Sequence, residues 1–316
     1  MPSKSAQLAV HRFEFKAMGT RCDIRLFAPD GEAAARVFLA CAEEVNRLEH
    51  KYSRYRPGNF LHRINLAAQH GGEAQADAEC MSLLDYAHAC HLQSEGLFDI
   101  TSGILRKAWN FDSAALPDPA LLERTLQSVG WRHVQRDGLL LRFARKGMEL
   151  DFGGIVKEYA VDRAVAICRG MGMAHGVVDL GGDIGAIGPD PDGEPWRIGI
   201  RHPRAPEREV ASIAIAQGAL ATSGDYERCI EIGGQRYSHI LSPVTGWPVQ
   251  GLASVTVVAE QCVVAGSIST TAMLKEGAGA AWLASLGVPH VWVDLDGNIG
   301  GSPEGGRDSN KLEIIQ

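Results

Sequence analysis

Apolar side chains recur at steps of three and four between residues 32 and 52, and Glu and Arg fill many of the positions between them. This spacing is typical of a helix that buries one face and exposes the other. We therefore predict a helix over this stretch, ended by the turn residues of Ser53–Asn59. The predicted buried face consists of Val37, Cys41, Val45, Leu48 and Tyr52.

Three further stretches favour helices. We predict one helix over residues 80–94, ending before Gly96. We predict another from Thr270 to Leu286, because this stretch is rich in alanine. Residues 155–171 have one apolar face at helical spacing. This third helix begins directly after the run Asp151-Phe-Gly-Gly154.

Other stretches have the short apolar runs and the two-residue alternation of strands. The alternation on both sides of Met18-Gly-Thr20 predicts two strands joined or bent near Gly19. Long helices early in the chain and many strands late favour an α+β fold over regular βαβ alternation. Further strands are predicted at His175–Asp179, Trp196–Ile200, Ser212–Ile215, Ser254–Val258 and His290–Val293.

Composition narrows the possible functions. Hydrophobic residues make up 45% of the 316 positions and charged residues 22%, which is ordinary for a globular protein. The formal charge of −7, without a dense Lys/Arg run, argues against nucleic acid as a partner. The seven cysteines form no Cys-x-x-Cys pair, which argues against a structural zinc site and suits a reducing compartment.

Membrane and export signals are absent from the sequence as written. No stretch approaches the roughly 18 apolar residues of a membrane span, and the first ten residues have no apolar segment of signal-peptide length. We therefore expect a cytoplasmic protein without a membrane span. The alternative is an exported form whose leader has been removed.

Two segments place a carboxylate next to glycines, and the backbone of the first could bind an anion. At Asp151-Phe-Gly-Gly154 the glycines let the backbone approach a ligand, and the following helix N-terminus favours negative charge. Lys157 could pair with phosphate there, or it could be a solvated lysine behind a simple strand–helix turn. The segment Leu180–Gly185, taken by itself, indicates a tight turn at its glycines, with Asp183 as the capping residue. The glycine spacing matches neither a P-loop nor a dinucleotide fingerprint.

Hydroxyl-rich and loop segments offer further candidates. The hydroxyls of Ala265–Thr271 could cap the start of a helix or meet a hard cation. In Ser94–Gly103, Gly96 fits a helix C-cap, and Asp99 or Thr101 could cap the next segment.

The loop Tyr237–Pro248 carries His239, the main candidate for a general base. Thr222, Ser223 and Asp225 lie shortly upstream in the sequence, and predicted strands flank the region. The alternative is a core histidine whose ring is satisfied by Ser238 or by backbone. The chain has no Gly-x-Ser-x-Gly elbow, which argues against a serine hydrolase.

Taken in order, these segments resemble the FAD:protein FMN transferases, the ApbE-like proteins. The resemblance implies an α+β ApbE-type fold of two intimately associated α/β lobes with a flavin cleft between them. It implies one domain over residues 10–300, with terminal tails at 1–9 and 301–316. The matching segments are Met18–Thr20, Tyr52–Pro57 with Asn65, Phe98–Gly103, Asp151–Asp162, Asp179–Ile184, Trp196–Ile200, Thr222–Tyr226, His239–Pro248, Ser254–Val258 and Ser269–Thr270.

The resemblance also implies an activity and a set of roles. Family members split FAD with Mg²⁺, pass FMN to a threonine of an acceptor flavoprotein and release AMP. His239 matches the histidine that activates the acceptor hydroxyl, while the Gly154 carbonyl and the Thr270 side chain match metal ligands. The residues that match FAD contacts are Met18, Tyr55, Leu97, Phe98, Asp99, Asp151, Lys157 and Leu241.

Three positions depart from the family pattern. Gly266 stands where the family has the aspartate that is its main carboxylate ligand of the metal. Glu158 replaces a glycine, and Ser242 replaces an aspartate. Asp225 or Glu158 could supply a substitute carboxylate. These departures leave two alternatives to a transferase: a protein that binds FAD or FMN without transfer, and a pyrophosphatase that converts FAD into FMN and AMP.

Overall fold

The computed structural model describes residues 8–113, 115–302 and 310–314, the last of these by backbone alone. Its centre is an eight-stranded sheet in which every neighbouring pair is antiparallel. Strands are numbered in chain order. Across the sheet they are β1 (Ala9–Ala17), β2 (Thr20–Ala28), β6 (Gly176–Leu180), β7 (Asp183–Gly188), β10 (Gly218–Gly224), β13 (Leu252–Ala259), β14 (His290–Asp294) and β15 (Ile299–Ser302).

Within the described residues, three smaller sheets accompany the central one. The first contains β8 (Trp196–His202), β9 (Ala205–Ile215) and β16 (Asn310–Ile314), the second β3 (Glu73–Gln75), β4 (Val134–Asp137) and β5 (Leu140–Phe143), and the third β11 (Cys229–Ile232) and β12 (Gln235–Ser238). Residues 310–314 thus form a strand within the stretch expected to be a tail. The α-helices are α1 (Gly31–Tyr52), α2 (Phe60–His70), α3 (Ala78–Gln93), α4 (Pro119–Leu126), α5 (Val156–Gly170), α6 (Cys262–Leu274) and α7 (Gly279–Leu286).

The fold confirms the α+β prediction and most of the predicted elements. Helix α1 begins one residue before the predicted stretch, and its whole apolar face is buried. Asp30 fixes its start because the carboxylate accepts a hydrogen bond of 2.7 Å from the Ala33 amide. The strands predicted on either side of Gly19 form a hairpin, in which Met18 and Gly19 both have positive φ, as a type I′ turn requires.

The Ala-rich helix predicted from Thr270 to Leu286 is wrong. The structure has two helices there, α6 and α7, separated by a 3₁₀ turn at Glu276–Ala278. Glu276 has a φ of 51°, which an α-helix cannot contain. Helix α6 also begins earlier, at Cys262, so the hydroxyls of residues 267–271 lie inside it and do not cap its start.

Helix α6 is capped by a residue from another helix. Asp162 of α5 accepts hydrogen bonds from the amides of Cys262 (2.7 Å) and Val263 (3.0 Å). Gln261, the residue at the local capping position, makes no side-chain cap. A carboxylate distant in sequence therefore satisfies amides that would otherwise lack partners, and it ties the two helices together.

Apolar side chains bury both faces of the central sheet. Helices α1, α5 and α6 pack on one face and contribute to the largest core cluster. The β8–β9 sheet covers part of the other face, where Ile213 and Ile215 meet Val291 and Val293. No helix in residues 8–113 and 115–302 is long and apolar enough to cross a bilayer. The expectation of a cytoplasmic protein stays a prediction.

We expect Asp162→Ala to destabilise the protein by about 1–3 kcal/mol, since it leaves two amides of α6 without an acceptor. Differential scanning calorimetry would show this as a lower Tm. Asp192→Ala is the matched control because Asp192 lies in an exposed loop. Equal Tm values for the two variants would contradict the role assigned to the cap.

Candidate active site

One cleft of about 2020 Å³ brings together the eleven residues that the family resemblance assigned to catalysis, FAD binding and metal binding. The β1–β2 turn, the end of α1, the turn before α5, the end of β10 and the loop after β12 line it. The eleven predicted residues in its walls are Met18, Tyr55, Leu97, Phe98, Asp99, Asp151, Gly154, Lys157, His239, Leu241 and Thr270. Segments far apart in sequence therefore form one concave surface.

Asp151 is held in place by an ion pair with Arg54 at one side of the cleft. Its Oδ1 also accepts a hydrogen bond of 2.9 Å from the Gly153 amide. A side chain at Gly103 would not fit, because its Cβ would lie 2.3 Å from that of Asp151. Sequence reasoning assigned no role to Arg54, although Arg54 lies within one of the matching segments.

Lys157 is an ion-paired residue and not a solvated lysine. Its Nζ lies 2.7 Å from Oδ2 of Asp183, whose side chain is 2% exposed. Burial favours the neutral lysine, but the negative charges of Asp183 and Glu158 outweigh it and raise the pKa of Lys157. Lys157 thus stays charged at the cleft wall.

The predicted turn cap at Asp183 is wrong. The carboxylate that caps the Gly181–Gly182 turn is Asp179, which accepts a hydrogen bond of 2.8 Å from the Gly182 amide. Both glycines have positive φ, as the turn prediction required. Burial raises the pKa of Asp183, and the charge of Lys157 opposes that rise.

The carboxylate of Asp99 organises the loop around residues 97–101. Oδ1 accepts hydrogen bonds from the amide (2.8 Å) and hydroxyl (2.6 Å) of Thr101, and Oδ2 accepts one from the Trp131 amide (2.9 Å). Thr101 is the residue at the capping position of the 3₁₀ turn Ser102–Lys107, and no side chain caps that turn, so the predicted cap by Asp99 or Thr101 is wrong. Because both carboxylate oxygens of Asp99 already accept hydrogen bonds, this side chain mainly stabilises the conformation of the loop.

Tyr55 presents an exposed ring at the mouth of the cleft, with 64% of its surface accessible. Its hydroxyl accepts hydrogen bonds from Arg54 (2.9 Å) and Arg228 (3.1 Å). Burial alone would raise the pKa of Tyr55, but these two guanidinium groups lower it. Arg228 had no signal in the sequence, because a contact between residues so far apart depends on the folded chain.

His239 is exposed to the cleft and is not a core histidine. Its Nδ1 lies 3.2 Å from the carbonyl oxygen of Arg228. A carbonyl can only accept, so Nδ1 carries the hydrogen and Nε2 keeps its lone pair. The surrounding walls displace hydration and lower the pKa of His239 below 6.5, and nearby cations lower it further.

Ser242 preserves the turn that follows His239. Its hydroxyl accepts hydrogen bonds of 3.3 Å from the amides of Val244 and Thr245. Its own carbonyl accepts from the Gly246 amide at 2.8 Å. Serine and aspartate both make such bonds in turns. The departure at Ser242 therefore leaves the loop with a side-chain acceptor where the family has a carboxylate.

Thr270 belongs to a cluster of hydroxyls between α6 and β10. The Ser223 hydroxyl lies 2.9 Å from that of Thr270 and 2.8 Å from that of Ser269. Asp225 lies elsewhere and makes a two-point ion pair with Arg204 at 2.6 Å. Because it lines a different pocket, Asp225 is not the substitute carboxylate.

Glu158 is the other candidate for that carboxylate, and it lies in the cleft wall. It is 8% exposed, and its Oε2 has no hydrogen-bond partner among the described residues. Burial and the nearby Asp183 raise the pKa of Glu158 to about 7. In the part of the chain that the structure describes, no three His, Cys, Asp or Glu side chains could hold a metal together.

Comparisons with known proteins agree with this geometry. The family model described as "ApbE family" matches residues 18–300. A protein of Vibrio cholerae named FAD:protein FMN transferase is 32% identical, over 87% of this chain and 85% of its own. One of the same name from Treponema pallidum is 31% identical, over 83% and 80%.

Solved structures show the same fold. The crystal structure of the ApbE protein of Thermotoga maritima has a TM-score of 0.85 and 30% identity, and the match covers 93% of this chain and 97% of that one. The flavinyl transferase ApbE of Pseudomonas stutzeri gives 0.84 and 27%, over 94% and 95%. The family match over most of the chain, and the agreement of both folds, show that this chain belongs to the ApbE family.

Proposed function

We propose that this protein is an FAD:protein FMN transferase that uses Mg²⁺ and moves FMN from FAD to a threonine of an acceptor flavoprotein. The observation that carries the proposal is the single cleft in which His239, with Nε2 available, faces the predicted FAD-binding residues. Its volume of about 2020 Å³ exceeds the roughly 300–1,000 Å³ of a typical small-molecule pocket. The excess suits a dinucleotide together with an acceptor segment.

Different residues of the cleft wall suit different parts of FAD. The exposed ring of Tyr55, which lines the same cleft as Met18, provides a flat surface for the isoalloxazine. Leu97 and Phe98 form the adenosine side. The start of α5 has no side-chain cap, and Lys157 offers a fixed positive charge for the pyrophosphate.

The residues present fit a magnesium ion. Gly154, Glu158 and Thr270 line the same cleft. Their carbonyl, carboxylate and hydroxyl oxygens are the hard donors that Mg²⁺ prefers, and Oε2 of Glu158 is buried without a partner among the described residues. The ion commonly uses one or two carboxylates and completes its coordination with water and substrate phosphates. When bound, it would neutralise the pyrophosphate and assist departure of AMP.

His239 supplies the proton chemistry. Nε2 takes the proton of the acceptor hydroxyl while that oxygen attacks the phosphorus of the FMN half. The bond from that phosphorus to the bridging oxygen breaks, and AMP leaves with the oxygen. The Arg228 carbonyl holds the Nδ1–H and so keeps Nε2 as the base during the transfer.

A direct assay separates this function from its alternatives. The protein is mixed with FAD, Mg²⁺ and a flavoprotein domain that carries an acceptor threonine. Fluorescent labelling of the acceptor in a denaturing gel supports transfer. AMP release without labelling indicates a pyrophosphatase, and bound flavin without turnover at any Mg²⁺ concentration indicates a binding protein.

We expect His239→Asn to lower the rate of transfer by about 10²–10⁴-fold, the usual contribution of a general base, while FAD affinity is retained. Fluorescence of the labelled acceptor in a gel measures the transfer rate, and quenching of flavin fluorescence measures FAD affinity. His175→Asn is the control, since the His175 Nδ1 also lies near a backbone carbonyl (2.9 Å, Pro189) but outside the cleft. Equal rates in both variants would exclude His239 as the base.

The pH profile of transfer should show a lowered base pKa. A base acts only when deprotonated, so the rate should rise with pH through the pKa of His239. Because that pKa is lowered, the midpoint of the rise should lie on the acid side of that of an unperturbed histidine, about 6.5. Measuring kcat/KM between about pH 5 and 8 tests this. A midpoint above 6.5 would contradict it.

Removing the Tyr55 ring should weaken FAD binding about 2- to 10-fold, as expected for an aromatic contact of roughly 0.5–1.5 kcal/mol. Tyr55→Ala would be compared with Tyr55→Phe by fluorescence titration. Phe keeps the ring and loses only the bonds to Arg54 and Arg228. If the two variants bind FAD equally, the ring does not stack on the flavin.

A further inference from the structure

A side chain at position 266 of α6 would occupy the same space as the side chain of Glu158 on α5. A Cβ placed on Gly266 would lie 2.6 Å from Cγ and 2.9 Å from Oε1 of Glu158, closer than non-bonded atoms approach. No side chain fits at position 266 while Glu158 keeps this conformation. The Glu158 carboxylate therefore occupies the space directly in front of the residue where the family pattern has its metal-binding aspartate.

The helical spacing places the proposed donors on common faces. Gly266 and Thr270 are four residues apart on α6 and so lie on the same face of that helix. Gly154 precedes α5 by two residues, and Glu158 lies in its first turn. Helices α5 and α6 pack together, and Gly154, Glu158 and Thr270 all line the cleft.

The other carboxylates nearby already have partners. Asp162 accepts from two amides of α6, Asp183 pairs with Lys157, and Asp179 accepts from Gly182. Glu158 differs because its Oε2 is buried without a donor among the described side chains and backbone groups. An unsatisfied buried carboxylate is costly, and a cation held beside Oε2 would offset that cost.

We propose that Glu158 is the metal-binding carboxylate of this protein, supplied from α5 in place of the aspartate that α6 lacks. The family's glycine and aspartate have exchanged roles here: position 158 carries the acid, and position 266 is the glycine that makes room for it. The inference rests on the proposed Mg²⁺ dependence and concerns which residue meets the ion. With Gly154 and Thr270, one carboxylate gives an oxygen set suited to Mg²⁺ and substrate phosphates.

The test measures metal binding without transfer. Mn²⁺ replaces Mg²⁺ because it is paramagnetic, and the full-length protein is titrated with Mn²⁺ alone and with Mn²⁺ plus ADP. Electron paramagnetic resonance reports free Mn²⁺ in the first titration, and water proton relaxation reports the protein-bound complex in the second. The variants are Glu158→Gln, the double exchange Glu158→Gly with Gly266→Asp, and the control Glu227→Gln, an exposed carboxylate in the same cleft.

Glu158→Gln should weaken Mn²⁺ binding at least about tenfold, the lower end of what loss of even an indirect metal contact produces. The double exchange should restore binding, and Glu227→Gln should not change it. Gly266→Asp alone should not strengthen binding, because its side chain would overlap Glu158. Circular dichroism of each variant verifies folding.

The outcomes separate the inference from the proposed function. If Glu158→Gln binds Mn²⁺ as tightly as the wild type, Glu158 is not the ligand, although metal-dependent transfer still stands. If the wild type binds no Mn²⁺ in either titration, both the inference and the proposed metal dependence fail. If the double exchange stays defective while folded, the two positions are not interchangeable and the inference is overturned.

Discussion

The site depends on the bond between the Asp162 carboxylate and the first amides of α6. Helix α5 carries Lys157 and Glu158, and helix α6 carries Gly266 and Thr270. Asp162 joins α5 to the N-terminus of α6, so it fixes the distance between these two sets of side chains. The bond is charge-assisted and lies at the positive end of a helix dipole, which makes it stronger than a hydrogen bond between neutral groups.

Elements with local causes were predictable from sequence. Helix α1 has a repeating apolar face and its own cap at Asp30, so its pattern alone located it. Helix α6 has neither property: most of its residues are buried, and its cap comes from α5. The alanine-rich pattern could therefore not locate its start at Cys262, nor the break at Glu276, which depends on a left-handed backbone conformation.

The candidate site was also predictable only in part. Short motifs identified the residues that line the cleft, since each motif lies within one turn or helix end. These motifs did not identify the ion-pair and hydrogen-bond partners that set the charge of those residues. The pairs Lys157–Asp183 and Arg54–Asp151, and the Arg228 carbonyl beside His239, join positions that only the folded chain brings together. The sequence therefore predicts which residues line the cleft, but not the ion pairs and hydrogen bonds that set their charge.

The overlap between Glu158 and any side chain at position 266 restricts how such a site can change during evolution. A chain with acids at both positions would be crowded, and a chain with glycine at both would have no carboxylate there. Neither single substitution leads directly from one working arrangement to the other. Such an exchange would pass through a weakened intermediate, so a lineage that has completed it would not easily return.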